Sequence, residues 1–181
     1  MTVKAGACKA CGKKKCKAKI GPYGETKCKK GSQAHHVPPD YTKRKGTRPT
    51  LKMDKDSTSE SDRIGGISSF NQGTSICLKG NAKTPRTEHN IAHNCDNAIA
   101  DLAAKGDPIG TVSLQEAIEE SIKSAAEAKP ECEEELRRAV DKEYGGEDRS
   151  RRVRGVQDPR KLSDDAMNAF NDKSSNIISG R

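Results

Sequence analysis

The sequence places its four histidines in two pairs, and these residues are the natural starting point for any chemistry. His35 and His36 are adjacent in GSQAHHVPPD, residues 31–40, and His89 and His93 lie in TEHNIAH, residues 87–93. Imidazoles four residues apart on a helix project from one face and can hold a cation together, provided a third donor arrives from elsewhere. Adjacent residues in an extended segment point to opposite sides. One of His35 and His36 can therefore complete a three-imidazole site while its neighbour stays uncoordinated. A cation that neutralises a phosphate, beside an imidazole able to take a proton from water, is the apparatus of phosphodiester hydrolysis. A zinc protease would need Glu immediately after the first helical histidine; Asn90 stands there, and Glu88 is on the wrong side. The alternatives are surface histidines, or a second structural site shared with Cys77 and Cys95.

Seven cysteines form the other cluster, four of them, Cys8, Cys11, Cys16 and Cys28, in a segment almost without large apolar residues. Such a segment cannot fold by burial alone. The odd count and an N-terminus that lacks a secretory apolar core favour a metal knot over a disulfide framework. Four thiolates suit zinc or an iron-sulfur cluster, and the spacing leaves both open. The ten lysines between Lys4 and Lys30 would offset thiolate charge or suit DNA phosphates equally well. Cys77, Cys95 and Cys132 read individually as buried thiols.

The elements that must position these residues are modest. Only 31% of the 181 residues are hydrophobic and 3% aromatic, so the core is small. The net charge of +8 fits a polyanionic partner or simply a solvated surface. No apolar run reaches the length of a membrane span. AHHVPPDYT, residues 34–42, reads as extended. KRKGTRPTLKMDKDSTSESDRIGGISSFNQG, residues 43–73, reads as a long surface loop, mobile at 54–63, and TSICLKG, residues 74–80, as a strand. A helix capped by Thr84 or Thr87 runs to about Ala104, before Gly106 and Pro108. Ser113 and Glu116 form a capping box for a second helix with the stripe Leu114, Ile118, Ile122, Ala125 and Ala126. Pro130 opens a third, on which Cys132, Leu136 and Val140 share a face and which ends at Gly145 and Gly146. After the basic RSRRVRG, a short helix buries Leu162, Ala166, Met167 and Phe170.

An A-H-H motif on an extended segment, then a strand, then a helix bearing H-x-x-x-H resembles the HNH/endonuclease VII group of ββα-metal, or His-Me finger, nucleases. Within it, S-x-A-H-H is most similar to the toxin nucleases of the GHH or AHH signature. The resemblance covers residues 34–37 and about 74–95. It implies an α+β fold with a ββα-metal nuclease core, additional helices and, here, the N-terminal four-cysteine knot. The organisation expected is a Cys-rich metal-binding segment at 1–33, a nuclease core at 34–105 carrying the 43–73 loop, and a helical part at 106–181 packed on that core.

Carried over residue by residue, the resemblance implies that His35, His89 and His93 ligate one divalent metal ion and that His36 is the general base. Asn71 or Asn81 would orient that base. Lys43, Arg44 and Arg86 are candidates for phosphate contacts, with Lys45 and Arg48 close to the DNA. The function implied is a non-specific DNA endonuclease serving as an antibacterial toxin, the warhead of a type VI secretion effector. It would be exported without a signal peptide, act in the cytoplasm of the target cell, and be blocked in the producer by an acidic immunity protein. The rival readings are a non-catalytic, metal-stabilised nucleic-acid-binding module and an RNase toxin.

Overall fold

The computed structural model describes residues 15–47, 63–64, 67–68 and 70–171. Cys8, Cys11, Arg48 and most of the 54–63 stretch expected to be mobile lie outside the described residues. The fold is mixed α+β with small sheets. Three strands, β1 (Ile20–Pro22), β2 (Ser32–His36) and β3 (Thr74–Lys79), form an antiparallel sheet in the order β1-β3-β2. The central strand is the TSICLK run, whose Ile76 and Leu78 are fully buried. Its register sets His35 opposite Ile76 and His36 opposite Ser75.

The chain then turns at Gly80, whose positive φ of 81° is one that side chains rarely adopt. A Cβ there would lie 2.3 Å from that of Thr87, so the close approach of strand and helix also requires glycine. Thr87 caps α1 (Glu88–Cys95) by accepting a hydrogen bond from the Asn90 backbone N–H. Glu88 fastens the start of α1: its carboxylate accepts from the Lys79 backbone N–H at 2.9 Å and pairs with Lys129 at 2.9 Å. The single helix expected through Ala104 is divided at Asp96, and α2 (Asn97–Ala103) continues it.

The capping box of Ser113 and Glu116 is formed, and it opens α3 (Leu114–Ala128) directly after β4 (Thr111–Ser113). Leu114, Ile118, Ile122 and Ala125 are buried, and α3 packs along α1. The histidine helix is thus held by the apolar stripe of α3. α4 (Glu133–Tyr144) follows a single 3-10 turn at Pro130–Cys132 and buries Leu136, Val140 and Tyr144. β5 (Arg152–Arg154) pairs antiparallel with β4, and α5 (Asp164–Ala169), capped by Ser163, places Ala166 in the core. The segment read as a basic tail therefore supplies a strand: the arginines on either side of Val153 conceal it in the composition, although both Val153 and Arg154 are buried. No helix among the described residues is long and apolar enough to cross a membrane.

The four-cysteine metal knot is not formed. Cys16 is bonded to Cys132 and Cys28 to Cys77, with sequence separations of 116 and 49. The physical reason is that the partners of Cys16 and Cys28 come from distant elements, one at the entry to α4 and one on β3, not from neighbours in the cysteine-rich segment. Neither zinc nor an iron-sulfur cluster can use these sulfurs, and Cys77 and Cys132 are not thiols. Cys95 is the one free cysteine among the described residues. The N-terminal segment, in its described part, is accordingly stapled to the rest of the fold and contributes β1 to the main sheet.

Candidate functional site

The ββ-then-helix order of β2, β3 and α1 brings three of the four histidines together. One nitrogen from each of His35, His89 and His93 lies within 4.8 Å of the other two. His35 comes from the end of β2, and the other two from successive turns of α1. Nε2 of His89 and Nε2 of His93 face one another at 3.1 Å. Two nitrogens bound to one ion at about 2.0–2.1 Å stand roughly 2.8–3.4 Å apart across octahedral (cis) and tetrahedral geometry, so the helical pair is already spaced as ligands. His35 and His89 are buried, whereas His93 is exposed and opens the cluster to solvent.

Asp96 completes the surroundings. It is buried, its Oδ2 lies 3.3 Å from Nε2 of His35, and neither of its oxygens accepts a hydrogen bond. A buried carboxylate without hydrogen-bond donors is costly unless a positive charge faces it. A cation held among the imidazoles would supply that charge, and a carboxylate beside a ligating histidine is a common means of orienting the ring. Imidazole donors with a nearby carboxylate suit zinc or another first-row divalent ion better than calcium or magnesium. Sequence reading missed Asp96, yet the signal is present: His89, His93 and Asp96 have the i, i+4, i+7 spacing of one helical face.

Burial, then the proximity of His35 and His93, pushes the pKa of His89 down to about 4. The ring is neutral at pH 7, as a ligand must be. The sign of the stability effect follows. The unfolded chain takes up this proton near pH 6.5 and the folded chain only near pH 4. The metal-free protein therefore loses stability as pH falls through that window, and not above it. Thermal unfolding in chelator at pH 7, 6 and 5 should show a falling midpoint, with a shallower decline for His89→Gln; parallel declines for the two proteins exclude His89 as the cause.

His36 is not one of the three converging histidines. Its Nε2 donates a 2.9 Å hydrogen bond to the Phe70 carbonyl oxygen, so in the neutral ring the lone pair is on Nδ1. Tyr23 stacks on the imidazole with centroids 4.1 Å apart and planes at 11°, and Phe70 meets it edge-on at 4.7 Å. The orienting partner expected from Asn71 or Asn81 is thus, at Nε2, a backbone carbonyl. The Asn81 side chain instead accepts from the backbone N–H groups of Lys83 and Thr84.

All four histidines border a single cleft of about 880 Å³. Comparison with models of known protein families, with curated proteins and with solved structures gives no match. The functional reading therefore rests on the geometry itself. Of the phosphate-binding candidates, Arg44 borders the cleft. Lys43 does not: it is buried, pairs with Glu143 at 3.2 Å and lies over the Tyr144 ring, where it ties the turn after β2 to α4. Arg86 is exposed at the turn before α1 and is not part of the cleft wall. Tyr41 and Arg154, which sequence reading did not single out, also border the cleft.

Proposed function

We propose that the protein is a metal-dependent phosphodiesterase acting on nucleic acid, a non-specific DNA endonuclease of the ββα-metal type. The observation that carries this reading is the separation of roles between adjacent residues: His35 joins His89 and His93, while His36, on the other side of the strand, is held in a fixed tautomer. A divalent ion held by His35, His89 and His93 would supply Lewis acidity toward a phosphate and its leaving oxygen. The chain's own part is to hold and move a proton. With Nε2–H donated to the Phe70 carbonyl, the His36 ring would take a proton from the attacking water, and the carbonyl would stabilise the imidazolium so formed. Tyr23 and Phe70 fix the ring plane so that the imidazole keeps one direction.

The two disulfides are of a kind that forms and persists in oxidising compartments. An antibacterial role, delivery by type VI secretion to the cytoplasm of a target cell and inhibition by an acidic immunity protein accompany the nuclease reading as parts of the same proposal. The test is incubation of the purified chain with supercoiled plasmid and with total RNA, each with zinc, manganese or chelator. Metal-dependent plasmid nicking is expected, with His89→Ala losing both bound metal and cleavage. Cleavage of RNA with intact plasmid makes the protein an RNase. Absence of cleavage from either substrate with every metal leaves a binding module.

A further inference from the structure

The wall of the cleft that also holds the histidines carries two buried guanidinium groups with too few partners. Arg44, in the strand-like stretch after the 3-10 turn at Asp40–Lys43, is 5% exposed, and Arg154, on β5, is 1% exposed. Arg154 gives Nη1 to the carbonyls of Gly46 and Lys45 at 2.6 and 3.2 Å and Nη2 to that of Gln157 at 3.4 Å. Arg44 gives Nη2 to the Asp40 carboxylate. Nε and Nη1 of Arg44 and Nε of Arg154 have no hydrogen-bond partner.

The charges do not balance either. Asp40 is ion-paired with Arg44 and acts on Arg154 only through its charge, and Asp158, which also acts on Arg154, is engaged by Arg160 at 2.8 Å. Burial and the Arg44 charge together push the Arg154 pKa down to about 10, as expected for two like charges held close without full compensation. Unpaired buried donors and an excess positive charge on a cleft wall are costly features unless an anion completes them. Guanidinium groups in pairs suit phosphate, because their N–H groups match its oxygens in plane. Tyr41 connects the two ends of the cleft: Arg154 lies over its ring at 5.8 Å, and its hydroxyl feels Asp96 of the histidine cluster on the other side.

The geometry points to a second phosphate subsite, formed by Arg44 and Arg154, that holds a phosphate of the substrate strand other than the one being cleaved. The inference rests on the phosphodiesterase reading for the identity of the ligand, but the anion site itself stands or falls separately. Its consequence is a preference for substrates with several phosphates over a dinucleotide that has only the scissile one.

The test uses inorganic phosphate titrated calorimetrically into the full chain in chelator, so that a metal ion at the histidines contributes nothing. Removing Arg44 alone would orphan the buried Asp40 carboxylate. The variants are therefore Asp40→Asn, which removes the competing carboxylate, and Asp40→Asn with Arg44→Gln, which replaces the ion pair by neutral amides. Asp40→Asn should bind phosphate at least threefold more tightly than the parent, and the double variant at least tenfold more weakly than Asp40→Asn. Affinities within twofold of one another in proteins with cooperative unfolding transitions would overturn the subsite. If the titrations follow the expected order while neither DNA nor RNA is cleaved, the anion site stands and the nuclease reading falls. Where cleavage is measurable, the double variant should raise KM for an oligonucleotide at least fivefold with kcat within threefold of the parent, a split that a purely structural role of Asp40 and Arg44 does not produce.

Discussion

His36→Ala is expected to leave a folded protein that still binds its metal while plasmid cleavage falls by about 10²–10⁴-fold, the usual contribution of a positioned general base. The reason lies in the division of labour along β2. His36 is not among the three residues whose nitrogens converge, so its removal should not lower the stoichiometry of bound metal. It does remove the imidazole stacked on Tyr23, at a cost of about 0.5–1.5 kcal/mol for the aromatic contact in addition to the lost buried area, which is why the unfolding midpoint must be measured alongside activity. Added imidazole should restore part of the rate by entering the space between Tyr23 and Phe70. Cleavage by His36→Ala at the parental rate, with equal metal content, would remove His36 from the mechanism and with it the explanation for the adjacent pair.

The second large effect concerns stability. Replacing Cys16 and Cys132 by serine opens a loop with a sequence separation of 116, for which chain entropy gives a loss of about 5 kcal/mol; the Cys28–Cys77 pair, separated by 49, gives about 4 kcal/mol. These values are comparable to the whole stability of a small domain. With a core largely of Ile, Leu, Val and Ala, few aromatic side chains are available to make up the difference. Urea unfolding of the parent, the two paired-serine variants and the parent in reductant should place all three altered forms well below the parent. Coincident transitions would show that the crosslinks contribute little and that burial alone maintains the fold.

Much of the helical architecture is legible in the sequence because it is written in local terms. The Ser113–Glu116 box, the stripe from Leu114 to Ala125 and the Thr87 cap act within a few residues of themselves, and each reappears in the structure. That one of the two adjacent histidines meets His89 and His93 was also readable from strand alternation and helical periodicity, whereas the choice of His35 over His36 rested on the family resemblance. What was misread depends on partners far along the chain. The spacing of Cys8, Cys11, Cys16 and Cys28 suggested a local metal knot, but Cys16 and Cys28 find their partners 116 and 49 residues away. Lys43 belongs with the surface lysines by composition, yet Glu143 and Tyr144 on α4 draw it into the interior. Arg154 likewise sits in a run of arginines that reads as solvated, and only the pairing of β4 with β5 shows that it is buried. Asp96 is a different case: it is one acidic residue among many, and only the helical repeat that continues from His89 and His93 singles it out.

The link between Cys28 and Cys77 has a meaning beyond thermodynamics. Ala34 lies across from Cys77, immediately before the two imidazoles, so the covalent staple fastens one edge of the very ladder on which their assignments depend. Were β2 to slide by a single position, every side chain on it would change face, and the proposed proton acceptor and cation ligand would trade places. The cystine thus acts as a detent for strand alignment, and under the proposed function it would safeguard which histidine performs which task.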